Sequence, residues 1–361
     1  MPYNVIKFLH HKINGEKMIY RIENIKIRED IEKEKLLEGV CKKYRINKKD
    51  IISWHITKKS VDARDKNDIF YNYTIEIETQ VVLKKLKEIK RENIEFKNIC
   101  NKKIEIRPVI VGAGPAGLFC GLILAQNGIK PIIIEQGKRV EDRIKDVEEF
   151  RKTGRLNINS NVQFGEGGAG TFSDGKLTTN VNNIYSKRVA QIFYEFGAPE
   201  QILYTSKPHI GTDNLVNIIK NIREEIIRLG GEFLFNEKVI DFEIENKKIK
   251  AVITDKRVIN TEIVVLAIGH SARDTFYKLY ERNLEMKRKN FSVGLRIEHL
   301  QSMINKSQYG TETKLKLPSA EYKLAYHSEN GRSCYTFCMC PRRRSYSFIK
   351  RRRNNRNKWY E

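Results

Sequence analysis

The stretch VIVGAGPAG, from Val109 to Gly117, decides the fold. Its glycines, Gly112, Gly114 and Gly117, have the spacing GxGxxG; an apolar run precedes them and the helical pattern LFCGLILAQNG comes after them. Strand, tight turn and helix are the context in which this spacing binds a dinucleotide. The first glycine permits the turn, the second lets the backbone approach a pyrophosphate, and the third lets the helix pack closely on the strand. The stretch predicts a Rossmann-like unit.

The helix after the turn has start and stop signals of its own. Pro115 is near the predicted start, where its missing N–H costs nothing, and Gly128 is placed to end the helix. We expect the free N–H groups of the first turn to face the phosphates. Ala113 and Ala116 are therefore also assigned to the cofactor site.

The next apolar run, PIIIEQG, ends in Glu135. This is the distance, about 20 residues, at which the fingerprint has an acid. A carboxylate there accepts from ribose hydroxyls and would repel a 2′-phosphate, which favours FAD or NAD over NADP. We assign Glu135 and its neighbour Gln136 to the site. The alternative is a glycine-rich turn beside a glutamate on a buried strand.

Length and composition exclude several classes of protein. The 361 residues suffice for two or three domains. We see no signal peptide and no uncharged apolar run of membrane-spanning length, so we expect a cytoplasmic protein without a membrane partner. The six cysteines lack the spacing of a disulfide framework or a zinc site, so we expect free thiols and no metal.

The net charge of +23 raises the question of nucleic acid. Nine basic residues lie between Arg342 and Lys358, and the other charges are spread evenly through a chain rich in Ile, Lys and Asn. We interpret most of them as solvated lysines. We expect a small-molecule substrate, of unknown identity, and no nucleic-acid partner; a basic RNA-binding arm is the alternative.

The chain divides into five segments. Residues 1–17 differ from the rest of the chain, and we expect translation to begin naturally at Met18. Residues 18–100 predict a small α+β domain of order βαββ, with Asp30 as the N-cap of its helix and a charged linker at its end. Its role is packing or substrate gating, with nucleic-acid binding as the alternative. Residues 101–280 form the dinucleotide domain, 281–341 begin a mixed β domain, and 342–361 are a basic tail.

The dinucleotide domain contains a second glycine-rich stretch, SNVQFGEGGAGTFSDGKLTT. Long segments without helix or strand periodicity are usually functional inside compact domains. We expect it to contact a flavin, and its assigned residues are Gly168, Gly170, Thr171, Ser173, Asp174 and Lys176. The alternative is a flexible surface loop. Arg143, on the preceding charged helix, is assigned to the cofactor site, with solvation as its alternative.

Three later features complete the predicted site. VVLAIG is a buried strand that ends in Gly269, where such folds return to the cofactor. His209 is a candidate for the active site, although lone histidines are more often structural. Beyond residue 281 the alternating pattern of FSVGLRIEH predicts strands, with Arg296, His299 and Tyr309 as polar candidates.

Together the motifs VIVGAGPAGLFCGLILAQNG, SNVQFGEGGAGTFSDGKL, KPHIGTD, LAIGHSARDTF, FSVGLRIEH and YTFCMCP resemble a family of bacterial FAD-dependent dehydrogenases, mostly uncharacterised. The resemblance runs from about Met18 to Pro341. It implies an α/β fold of the glutathione-reductase type with a small N-terminal α+β domain. It also implies FAD held by Gly112, Gly114, Gly117 and Glu135.

The resemblance stops at Arg342. The family continues there with glycines and further flavin-binding elements, whereas this chain reads RRRSYSFIKRRRNNRNKWYE. Back-translation with freely chosen codons and one dropped nucleotide gives GGGVIVSSSEEGTIVTNGMS, which looks like the family continuation. We therefore expect a frameshift product that retains FAD weakly. An intact reading frame across Pro341 on resequencing would contradict this expectation.

The sequence predicts an FAD-dependent oxidoreductase in which the cofactor accepts or donates a hydride. NAD(P)H as a transient electron donor stays open, since no second GxGxxG is evident. No catalytic acid or base is identified. The alternative functions are a flavin-binding module without turnover and an RNA-associated flavoprotein.

Overall fold

The computed structural model describes residues 17–90, 104–172, 175, 177, 179, 181, 183–206, 208–295, 297–310, 316–336 and 339. The first part is a small α+β unit. Its elements are β1 (Met18–Ile27), α1 (Lys33–Tyr44), β2 (Ile51–Asp62), β3 (Phe70–Thr79) and β4 (Lys87–Ile89). The strands form an antiparallel sheet of order β2-β3-β1-β4.

The order βαββ is confirmed, and two details of this unit were predicted wrongly. Asp30 does not cap α1; the N-cap is Glu32, which makes no side-chain capping bond. Asp30 instead accepts hydrogen bonds from Tyr73 and Lys59, because both donors lie on the sheet that α1 covers. The charged segment taken as a linker contains β4, which pairs with β1.

The second unit is built on a parallel sheet. Its strands are β5 (Val109–Val111), β6 (Ile132–Glu135), β7 (Glu232–Phe235) and β11 (Val264–Leu266), in the order β11-β5-β6-β7. An antiparallel meander comprises β8 (Val239–Glu245), β9 (Lys248–Thr254) and β10 (Val258–Asn260). The helices are α2 (Pro115–Gln126), α3 (Val140–Thr153), α4 (Ile184–Glu195), α5 (Thr212–Arg228) and α6 (Arg273–Glu281).

The apolar residues of β5 and β6 face two different layers. Ile110 and Ile133 pack in one core with residues of α2, α4 and α5. Val109, Val111 and Ile134 pack on the opposite side with residues of the meander and α6. Since the central strands are buried on both faces, they read as continuous apolar runs. The predicted α/β architecture is confirmed.

The part after α6 contains α7 (Gln301–Tyr309) and a hairpin of β12 (Ala325–His327) and β13 (Ser333–Tyr335). The alternating pattern of FSVGLRIEH predicts a strand, but the described residues of this segment contain none. Its apolar side chains are exposed; Leu295 is 100% and Val293 is 87% exposed. A segment with alternating apolar and polar residues forms a strand only where a neighbouring strand supplies hydrogen-bond partners for its backbone.

The small unit is joined to the dinucleotide unit through a short segment before α5. Lys59 on β2 donates its backbone N–H to the carbonyl of Tyr204 at 2.7 Å and accepts from Ser206 at 3.2 Å. The ring of Tyr204 belongs to the core of the small unit and is 9% exposed. These contacts of Lys59 and Tyr204, which we call the seam, support the packing role expected for the small unit.

Candidate functional site

The fingerprint glycines occupy positions where side chains do not fit. Gly112 has φ +104°, and a Cβ atom there would lie 2.5 Å from the carbonyl oxygen of Ala267. A Cβ at Gly117 would lie 1.9 Å from the oxygen of Gly112. Real Cβ atoms do not approach backbone atoms this closely. The turn and the close packing of α2 on β5 therefore require these two glycines, as the sequence predicted.

Gly114 differs, because its missing side chain leaves space rather than relieving a clash. It is the N-cap of α2 and makes no side-chain capping bond, so the first turn presents N–H groups without a side-chain acceptor. A Cβ at Gly114 would meet only Gly168 Cα, at 3.9 Å. Pro115 and Ala116 beside it are exposed. This cradle fits the pyrophosphate of FAD, since helix N-termini bind anions.

Glu135, at the end of β6, is 6% exposed and binds three backbone N–H groups. Oε2 accepts from Ala113 at 2.9 Å, while Oε1 accepts from Gly137 at 2.9 Å and Gly165 at 3.0 Å. The sequence predicted an acid at the end of this strand but not these bonds. A carboxylate oxygen has two lone pairs, so Oε2 keeps capacity for a ribose hydroxyl. That contact stays a prediction.

Arg143 is neither solvated nor a surface residue, so the alternative considered for it is wrong. It is 0% exposed, and burial lowers its pKa to about 10. Its guanidinium lies over the ring of Phe172, 4.8 Å from the centroid. It donates to four carbonyls of the glycine-rich stretch, at distances of 2.6 to 3.3 Å: Asn161, Val162, Gly165 and Glu166. Arg143 thus holds the loop; its contact with the cofactor stays a prediction.

Glu166, within the glycine-rich stretch, was not among the residues that the sequence singled out. Its side chain is 0% exposed. Oε2 accepts from the backbone N–H of Val140, at the start of α3, and from Arg223 of α5. Arg223 also forms a bidentate ion pair with Glu141. Burial raises the pKa of the Glu166 carboxyl, and Arg223 opposes that shift. The available signal was an acid inside a run of glycines.

The glycine-rich loop packs on the fingerprint. Gly167 donates to the carbonyl of Ala113 at 2.8 Å, and a Cβ at Gly168 would lie 3.0 Å from Pro115 Cδ. Thr171 is fully buried, and its hydroxyl has no hydrogen-bond partner among the described residues. A Cβ at Gly170 would point into open space. The loop and the fingerprint are therefore in direct contact, and the contact of the loop with a flavin stays a prediction.

The strand β11 returns to the same place. Ala267 donates to Val111 at 2.8 Å, and the turn after β11 is tied to the glycine-rich loop by a 2.9 Å bond from Ser271 to Gln163. Gly269 is exposed in this turn with φ +66°. The predicted return of the chain to the fingerprint is thus present, but the strand was predicted wrongly in two respects. It ends at Leu266 rather than at Gly269, and its residues are half-buried or exposed rather than buried.

The remaining predicted residues have varied surroundings. Gln136 is half-buried. His209 Nε2 lies 3.2 Å from Glu321 Oε1, which links the dinucleotide unit to the part after α7. Two of the polar candidates beyond residue 281 are described: His299 packs edge-on against Tyr322, and burial raises the pKa of Tyr309. Residues 1–16, the basic tail and seven predicted residues lie outside the described part of the chain: Cys100, Ser173, Asp174, Lys176, Arg296, Cys338 and Cys340.

Two further findings concern metals and membranes. Cys41, Cys120 and Cys334 are free thiols. Within the described ranges, no group of three or more His, Cys, Asp or Glu side chains is arranged to hold a metal ion. No helix in those ranges has the length and apolar character needed to span a bilayer.

Three family models match the chain. An FAD binding domain matches residues 105–146, and a model described as an FAD-dependent protein, C-terminal domain-like, matches residues 290–342. Residues 18–78 match a domain of unknown function. The first match contains the fingerprint and Glu135, and the third covers most of the small α+β unit.

The chain is also similar to two proteins by sequence and to a solved structure. An uncharacterised protein of Clostridium beijerinckii is 45% identical over 334 residues, which are 90% of this chain and 63% of that protein. A D-amino acid dehydrogenase of Helicobacter pylori is 36% identical over 93 residues, 26% of this chain and 22% of the enzyme. A glycine oxidase of Bacillus cereus has a TM-score of 0.33 at 17% identity, covering 49% of this chain and 58% of the oxidase.

The chain thus spans less than two thirds of the length of these two relatives. The FAD models nevertheless match at the fingerprint and again beyond α6. FAD is the cofactor that these matches support, and the cradle at Gly114 fits it. These matches support an FAD-dependent oxidoreductase family for the chain.

Proposed function

We propose that this chain acts as an FAD-dependent oxidoreductase on a small-molecule substrate. The observation that carries the proposal is the meeting of three segments at one place. The start of α2, which has no side-chain cap, lies against the glycine-rich loop at Gly114 and Gly168, and the turn after β11 bonds to the same loop through Ser271 and Gln163. Because glycines have no side chains, a ligand can lie close to the main chain there.

The chain's residues would divide the work of holding FAD. The N–H groups at the start of α2 would bind the pyrophosphate, and Glu135 would accept from a ribose hydroxyl while it keeps the loop in place. The glycine-rich loop would lie against the flavin. FAD, when bound, supplies the site that accepts or donates the hydride, and the protein orients it.

The substrate class is open. The Helicobacter pylori enzymes act on D-amino acids by name, but the aligned part is only 22% of their length. D-amino acids are therefore one arm of a substrate panel, and NADH and NADPH as electron donors are the other.

The test is anaerobic reduction of the flavin. The protein is loaded with FAD, and the visible absorption band of oxidised flavin is followed after addition of each candidate. Bleaching at a rate that saturates with one candidate supports the proposal. A non-catalytic flavin-binding module is the second candidate function; it would hold FAD and respond only to a chemical reductant such as dithionite.

A further inference from the structure

A buried carboxylate ties the glycine-rich loop to two helices. Glu166 lies between Gly165 and Gly167, the two residues whose N–H groups bond to Glu135 and to the carbonyl of Ala113. The backbone on one side of Glu166 is thus attached to Glu135 and on the other side to the fingerprint. Its side chain points the opposite way, into the protein, where it is 0% exposed.

The partners of this side chain come from elements that are distant in sequence. Glu166 Oε2 accepts from the N–H of Val140 at 2.8 Å and from Arg223 at 2.5 Å. Arg223, itself 5% exposed, is held by Glu141 of α3 at 2.6 Å and 3.0 Å. One carboxylate oxygen therefore connects the loop with the first turn of α3 and the middle of α5.

Both of these hydrogen bonds end on the same oxygen of Glu166, Oε2. Glu166 Oε1 is buried and has no hydrogen-bond partner among the residues that the structure describes. A neutral amide at position 166 can therefore keep both bonds through its oxygen and place its NH2 group where Oε1 now lies. An apolar side chain cannot keep either bond and leaves the Val140 N–H buried without an acceptor.

We propose that Glu166 is a positioning residue for FAD: through Val140 and Arg223 it fixes the loop in the shape that completes the cofactor cradle at Gly114. Glu166 does not touch the cofactor in this arrangement. It restricts the loop before FAD binds, so that less conformational entropy is lost on binding. The inference rests on the proposed flavin function of the same site.

The experiment compares two substitutions at position 166 with the same two at Glu76. Glu76 is a matched control, because it is also a nearly buried carboxylate (5% exposed) held by an arginine, Arg21, but lies in the small unit. FAD affinity is measured by fluorescence titration of the apo chain. Hydrogen exchange of residues 159–172 and thermal unfolding of the apo chain are measured in parallel.

We expect Glu166→Leu to weaken FAD binding about tenfold or more, a change of about 1.4 kcal/mol. Hydrogen exchange across the loop should rise, and Glu166→Gln should bind within about threefold of the unsubstituted chain because it keeps the acceptor. Glu76→Leu should lower the unfolding temperature without changing FAD affinity. If Glu166→Leu does not fold, Arg223→Lys, which weakens the same connection, takes its place.

Two outcomes separate the inference from the proposed function. If the unsubstituted chain binds FAD and Glu166→Leu weakens binding no more than Glu76→Leu, the positioning role is overturned while the flavin function stands. Equal binding by Glu166→Leu and Glu166→Gln would overturn it as well. If the unsubstituted chain binds no FAD at micromolar concentrations, the proposed function fails first, and the inference fails with it.

Discussion

Glu135 Oε2 accepts a hydrogen bond from the backbone N–H of Ala113 at 2.9 Å, across the turn between β5 and α2. The second oxygen accepts from Gly137 and from Gly165 of the glycine-rich loop. A residue predicted to bind ribose thus also holds together the two segments that form the cofactor cradle. The turn and the loop depend on the same side chain.

Glu135→Gln tests this dual role. A carboxamide has one acceptor oxygen, and its NH2 group would face a backbone N–H donor. We expect a loss of about 1–3 kcal/mol in unfolding free energy, together with weaker FAD binding. Urea unfolding and FAD titration measure the two effects. The control is Glu232→Gln on β7, where the carboxylate is exposed and pairs with Arg107; an equal effect of both substitutions would contradict the role.

Gly114→Ala and Gly117→Ala should separate binding from folding. A Cβ at Gly114 meets nothing closer than 3.9 Å, so the apo chain should keep its unfolding temperature while FAD affinity falls. A Cβ at Gly117 would lie 1.9 Å from the oxygen of Gly112, so that substitution should destabilise the apo chain itself. Thermal unfolding with and without FAD measures both. Gly39→Ala on α1 is the control; it faces open space and should gain about 0.5–1 kcal/mol.

Arg143→Lys should destabilise the loop although it conserves the charge. The flat guanidinium reaches four carbonyls at once, whereas an ammonium has three donors on a flexible stem. We expect a loss of about 2 kcal/mol or more, because buried carbonyls are left without donors. Thermal unfolding and proteolysis within residues 159–172 report it. The control is Arg155→Lys, at an exposed position beyond α3, which should have no effect. If Arg143→Lys leaves the unfolding temperature and the proteolysis of the loop unchanged, Arg143 does not hold the loop.

The unfolding free energy should change with pH because Glu166 titrates differently in the folded and unfolded chain. Burial raises the pKa of its carboxyl from 4.5 to about 7, so the folded chain binds more protons than the unfolded chain between these values. This contribution to stability is present below pH 4.5 and is lost as the pH rises towards 7. The difference in unfolding free energy, Glu166→Gln minus unsubstituted, should therefore increase from pH 5 to pH 7. Denaturant unfolding at several pH values measures it, and a flat difference would show that the carboxyl titrates normally.

Tyr204→Ala should uncouple the small unit. The ring is 9% exposed in the core of that unit, and its backbone carbonyl accepts from Lys59. Removing a buried aromatic ring costs about 3–5 kcal/mol. We expect the thermal transition to broaden or split, with the small unit melting first. Tyr194→Ala, 41% exposed on α4, is the control; a single unshifted transition in Tyr204→Ala would show that the seam does not stabilise the small unit.

The features that the sequence predicted well are local. The glycines of the fingerprint, the strand before them and the helix after them lie within a few residues of one another, and the structure gives a steric reason for Gly112 and Gly117. The small βαββ unit was also predictable, since its helix and its three long strands have clear periodicities. The strand expected at residues 291–299 failed because alternation specifies a strand only when a partner strand is present.

The sequence by itself determined the cofactor class and the α/β unit that binds it, because turn geometry and close helix packing depend on residues adjacent in the chain. Only the tertiary structure decided what Arg143 and Glu166 do. Arg143 finds its carbonyls 18 to 23 residues away, and Glu166 meets Arg223 at a separation of 57 residues. Desolvation and the geometry of buried hydrogen bonds assign those roles, and both arise only when α3, α5 and the glycine-rich loop are packed together.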